Sequence, residues 1–216
     1  MSARDNILSR IRANSGRAGA TSVAELESAR AVIERKQRGP IPGLAKHDPV
    51  SHFVEECEKL KTTVAFADSD TGIPGAVASY LKSLSAAPVI LGWHEFAGLD
   101  WSRAGIVFND RPAQGDDLTS LTGCFCAISE TGTLLLLGSA ATPKATALLP
   151  ETHICVVRRS RIVQTMEGAF DLLRAERGEL PRATFFVSGP SRTADIEQTI
   201  VIGAHGPYRV HVILVP

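Results

Sequence analysis

Glu130 is the first residue set up for chemistry. With Thr131, Gly132 and Thr133 it lies between two β-prone runs, 123–129 and 133–137. Rigid flanks would hold its carboxylate out of a sheet, where it can serve as nucleophile or general base, or stay a solvated turn residue. Gly132 can supply the positive φ of a tight connection. The Thr131 and Thr133 hydroxyls can bind a ligand or simply close the turn.

A second cluster is the stretch 189–207, which holds Ser191, Arg192, Thr193, Asp195 and His205 between two Gly-Pro pairs. Residues 193–199 read as a short helix capped by Ser191 or Thr193. A helix start beside a guanidinium suits an anion, and a solvated surface arginine is the other reading. Lys144, in an expected loop between Thr142 and Thr146, can hold a carboxylate or phosphate as a point charge. His153 and His205 are acid–base candidates near neutral pH, or structural imidazoles.

Other motifs are weaker. Cys124 and Cys126 alternate onto one face of a strand, but their spacing is not that of zinc or cluster ligands, so burial as small apolar groups is expected. His94-Glu95 has no second histidine at helical spacing, so no zinc protease site follows. The glycine patterns of the phosphate loop and the dinucleotide fingerprint are missing, which argues against ATP and NAD sites of the usual kinds.

The elements that must position these groups alternate. Asp48-Pro49 pairs an N-cap with a proline fit for the first helical position, and Val50, Phe53, Val54, Cys57 and Leu60 then follow at helical spacing. Runs 62–67, 88–91, 105–108, 153–158, 183–188 and 208–215 read as strands, and 73–84 and 162–175 as helices. Short strands alternating with helices point to an α/β domain with a mainly parallel sheet between helices. The first 43 residues read as an arm and linker: helices over 2–14 and 24–36, then a Gly-Pro-rich break at 39–43, with the α/β domain at 44–216. Such an arm can pack on a neighbouring copy or remain a mobile tail.

Composition bounds the rest. The chain has 216 residues with 23 basic and 23 acidic side chains, so its formal charge is zero and a nucleic-acid partner is not expected. An apolar content of 44% suits a packed core. No apolar run reaches bilayer length and residues 1–15 are polar, so a cytoplasmic location is expected. Four cysteines in that setting do not suggest a disulfide framework.

Three blocks carry a resemblance: 127–134, 148–154, and 188–197 continuing through 203–207. Together with Asp5, Ile7, Leu8, Ile11 and Arg12, they resemble the lactate-utilisation protein C family of LUD-domain proteins over essentially the whole chain. One departure is Lys144, which stands where that family usually has arginine, so a two-pronged anion contact there is in question. The resemblance implies a Rossmann-like fold similar to the sugar-isomerase and CoA-transferase group. It further implies a cytoplasmic bacterial component of a system oxidising L-lactate to pyruvate, with iron–sulfur clusters in partner proteins and none in this chain. A small carboxylate or a partner subunit would then sit among Glu130–Thr133, Lys144 and Ser191–Asp195, with Arg192 as its anchor. The alternatives are a CoA- or acyl-transferring enzyme using Glu130, or a sensing or assembly protein without turnover.

Overall fold

The structure is a computed structural model that describes residues 2–16, 21–36, 38–39, 43, 48–194 and 198–216. The chain divides into two compact units, Met1–Gly43 and Leu44–Pro216. The first contains α1 (Ala3–Asn14) and α2 (Val23–Arg35). Each begins with a serine whose side chain accepts from the backbone three residues on, while the acid there reaches back: Ser2 with Asp5, and Ser22 with Glu25. Neither helix buries a residue, and Ile7, Ile11, Val32 and Ile33 are exposed.

The second unit opens with α3 (Pro49–Lys59), whose start is set as the sequence implies. Asp48 accepts from the Ser51 N–H at 2.8 Å, and Pro49 occupies the first turn. Phe53 and Cys57 on its inner face are fully buried. Next come β1 (Thr63–Phe66), α4 (Ile73–Ser83), β2 (Val89–Gly92), β3 (Val107–Asn109) and β4 (Thr119–Thr122). They are followed by β5 (Cys126–Ile128), β6 (Thr133–Gly138), α5 (Lys144–Leu148), β7 (Thr152–Arg158) and β8 (Ile162–Val163). The chain closes with α6 (Met166–Arg177), β9 (Ala183–Val187), β10 (Arg192–Thr193), β11 (Val201–Ile202) and β12 (Arg209–Val215).

Six strands form a sheet in the order β1-β12-β7-β4-β2-β3, and every neighbouring pair is parallel. A parallel sheet flanked by helices buries both faces of its central strands, so those strands read as nearly unbroken apolar runs. β12 shows this: all residues from Val210 to Val215 are buried, including His211, which alternation alone would put on a polar face. A second sheet, β8-β5-β6-β9, stands beside it, with β5 and β9 both antiparallel to β6. The mainly parallel α/β fold inferred from the sequence is therefore present.

Several local expectations are corrected. Thr193 does not begin a helix: Arg192 and Thr193 are extended and pair with Ile202 and Val201, and residues 195–197 of the expected helix lie outside the described residues. The helix expected from 162 starts at Met166, because Ile162 and Val163 pair with β5 and Thr165 caps the helix through the Gly168 N–H. Lys144 opens α5 and is not in a loop. β4 carries no apolar run to announce it, yet Thr119, Ser120, Leu121 and Thr122 are all buried at the centre of the sheet. Cys124 and Cys126 do not share an environment. Cys124 packs against the main core, whereas Cys126 lies in the smaller cluster with Ile128, Leu135 and Ala169.

Candidate functional site at the strand ends

The residues singled out by the sequence fall into separate places. Glu130 and Thr131 form a single 3-10 turn after β5, and Gly132 ends it with φ +57. The Glu130 carboxylate accepts the Met166 backbone N–H at 2.7 Å, so it is engaged at the first turn of α6. Thr133 Oγ1 lies 2.8 Å from Thr131 Oγ1 and 2.7 Å from Ser188 Oγ, a chain of hydroxyls along α3. Arg192 is exposed and donates to the Leu60 carbonyl at 2.7 Å, closing the carboxyl end of the same helix. The acidic turn and the arginine thus both meet α3, and each satisfies a backbone group, Glu130 at the start of α6 and Arg192 at the end of α3. Ser191 sits against Gly206, near the end of α5, and Lys144 is exposed at that helix's other end. Thr193 is in β10, and His205 is exposed before β12. Asp195 lies outside the described residues. His153 is fully buried; Thr122 Oγ1 is 2.7 Å from its Nε2, and burial lowers its pKa to about 4, so it stays neutral in the fold.

A different set of residues is gathered by the topology. From β2 the chain moves outward to β3, and β3 then returns to β4 on the other side of β2. From β4 it moves on through β7 to β12, in the opposite direction. The carboxyl ends of β2 and β4 are therefore the point where the winding reverses, and sheets of this class leave a ligand crevice there. Trp93 and Glu95 follow β2, and Gly123 and Cys124 follow β4.

Two adjoining cavities open at this point, of about 380 and 310 Å3. They share Glu95, Cys124, Phe125 and Arg177. Trp93, Leu137, Ser139, Thr142 and Glu179 also line the larger, and Gly123, Arg158, Arg161 and Glu176 the smaller. Of the residues expected to form the ligand site, from Glu130–Thr133, Lys144, Ser191–Thr193 and His205, none lines either one.

Glu95 leans on the backbone of Gly123. A Cβ at Gly123 would fall 2.6 Å from Glu95 Oε1, so only glycine lets the carboxylate approach. Glu95 is exposed as a residue, but partial desolvation of its carboxylate raises its pKa, against the opposing pull of Arg158 and the Gly123 N–H. Two of the three arginines are committed. Arg158 clasps Asp70 through both terminal nitrogens, at 3.1 and 2.9 Å. Arg161 holds Glu176 through Nη2 at 3.0 Å and donates Nε–H to the Phe125 carbonyl at 2.9 Å. The guanidinium of Arg177, exposed in the last turn of α6, makes no hydrogen bond or ion pair among the described residues. The arrangement is a half-apolar crevice with one uncommitted cation and one carboxylate of raised pKa. It can bind an anion and can accept or donate a proton beside it.

The family model for the LUD domain matches residues 98–215. This chain belongs to the LUD domain family. The matched span holds Gly123, Arg158, Arg161 and Arg177, while Glu95 lies just before it. The lactate utilization protein C of Deinococcus radiodurans is 39% identical over 82% of this chain and 84% of its own length. That of Bacillus subtilis is 29% identical over 98% of this chain and 95% of its own. The resemblance carried by the three sequence blocks therefore holds. A crystal structure of a DUF162 family protein from Deinococcus radiodurans is 28% identical, with a TM-score of 0.56, and covers 81% of this chain and all of that one. No helix among the described residues of this LUD protein is long and apolar enough to cross a membrane.

The sequence reading passed over the crevice for physical reasons. Glu95 was weighed only as part of a zinc motif, and Arg177 reads as an ordinary charge at a helix end. The signal that locates them is the order of the strands, which depends on β4, and β4 is polar enough to be silent in the sequence.

Proposed function

We propose that this protein is a component of a bacterial system for L-lactate utilisation and that it binds a small carboxylate in the crevice at the ends of β2 and β4. The 39% identity to a lactate utilization protein C over most of both chains carries the reading. In this proposal lactate is oxidised to pyruvate by a cytoplasmic assembly whose iron–sulfur clusters belong to partner proteins. The exposed apolar residues of α1 and α2 support an arm that meets such a partner or a second copy. The transferase alternative built on Glu130 is less favoured, because one oxygen of that carboxylate is held at the start of α6 by the Met166 N–H.

Deleting the gene in its own host tests the role. Growth on L-lactate as sole carbon source should be lost, while growth on pyruvate is kept. Unimpaired growth on lactate would remove the protein from that system. A pull-down from lactate-grown cells, assayed for dye-linked lactate oxidation beside the isolated chain, tests the partners. Activity in the recovered complex alone would support a non-catalytic subunit. Activity in the isolated chain would make it the enzyme.

A further inference from the structure

The crevice has features that narrow its ligand. Of its three arginines, Arg158 and Arg161 are held by Asp70 and Glu176, which leaves Arg177 as the cation with capacity to spare. Glu95 and Glu179 also line the larger cavity, so a dianion is repelled more strongly than a monoanion. Its wall includes Trp93, Phe125 and Leu137, which suit a hydrocarbon segment. Glu95 faces the Gly123 N–H on one side; its carboxylate makes no other hydrogen bond among the described residues, so acceptor capacity remains for a ligand.

We propose that the crevice is a selective site for 2-hydroxy monocarboxylates, with Arg177 holding the carboxylate and Glu95 accepting the hydrogen bond of the 2-hydroxyl. The acid class rests on the lactate reading above; the assignment of Arg177 and Glu95 rests on the crevice. A site that accepts a hydrogen bond from a hydroxyl binds the analogue lacking it more weakly, by the loss of that bond. The approach to Gly123 places the Glu95 carboxylate at the wall that both cavities share. Gly123 is part of the device, since any side chain there would push Glu95 from its place.

Isothermal titration of the full chain at neutral pH, with sodium L-lactate, propionate and inorganic phosphate in turn, tests this. Lactate should bind saturably, propionate about tenfold more weakly or worse, and phosphate should fail to displace lactate. Arg177→Ala should weaken both acids about tenfold or more. Glu95→Ala should bring lactate down to the level of propionate and leave propionate unchanged, which also shows that the variant is folded. Equal binding of lactate and propionate, indifference to Arg177→Ala, or displacement by phosphate would each overturn the proposal. If lactate does not bind while the deletion strain still fails on lactate, the crevice assignment falls and the role in lactate use stands. If binding is selective but growth is unaffected, the reverse holds.

Discussion

Two regions of the α/β unit invite opposite readings. The seam along α3 contains Glu130, Thr133 and Arg192, residues that stand out in the sequence. In the structure they bind a backbone N–H, a neighbouring hydroxyl and a backbone carbonyl. The crevice at the ends of β2 and β4 is built from Glu95, Gly123 and Arg177, none of which stands out. There a carboxylate and a guanidinium keep capacity to spare. The difference teaches that the type of a residue does not tell whether its polar atoms are already used. Buried or helix-end backbone groups must be satisfied by something, and a motif rich in Glu, Thr and Arg can be conspicuous for that reason.

The sharpest way to set the regions apart is to loosen the sheet that carries the crevice. His153 and His211 are buried, and burial lowers each pKa from 6.5 to about 4. Thr63 Oγ1 is 2.7 Å from His211 Nδ1, and the ring stacks on Tyr80 with centroids 3.7 Å apart. Between pH 6.5 and 4 the unfolded chain binds more protons at these sites than the folded one, so stability falls as pH falls through that window. The loss is on the order of 3 kcal/mol for each imidazole by the bottom of the window. Urea melts at pH 7.5, 5.5 and 4.5 should show the decline, and His153→Phe should remove about half of it. An unchanged slope in that variant would mean that His153 does not titrate with unfolding.

Glycine substitutions compare the regions directly. A Cβ at Gly132 would lie 2.8 Å from the Cys57 backbone nitrogen, and the residue has φ +57. Backbone strain and overpacking together put the cost of Gly132→Ala at about 4 kcal/mol, readable in a urea melt. At Gly123 the obstructing atom is the mobile tip of Glu95, so Gly123→Ala should cost under about 1 kcal/mol of stability. That variant should nevertheless lose the preference for lactate over propionate. A large fall in stability at Gly123, or a preserved preference, would erase the contrast between a structural and a functional close approach.

Much of this framework was legible before any coordinates. The Asp48-Pro49 start of α3, the αL glycine at 132 and the apolar run of β12 each follow from one local rule. What escaped was non-local. β4 is a buried strand whose residues are mostly hydroxylic, and its hydrogen bond from Thr122 to His153 joins residues 31 apart in the chain. Without β4 the order of the sheet is unknown, and without that order the winding reversal that gathers Glu95, Gly123 and Arg177 has no location. Thr193 suits a helix cap and a strand edge alike, and only the partner β11 decides between them.

The smallest effects test the seam. Glu130→Gln keeps an oxygen for the Met166 N–H but removes a negative charge from the first turn of α6, a loss of roughly 0.5–1 kcal/mol. Arg192→Ala removes one exposed donor from the Leu60 carbonyl, which water can replace, so the change should be at most about 1 kcal/mol. Both variants should bind lactate as the wild type does and support growth on it. If Arg192→Ala instead abolished growth with the melt unchanged, the arginine would do more than close a helix, and the anion site would have to move from the strand ends to the α3 seam.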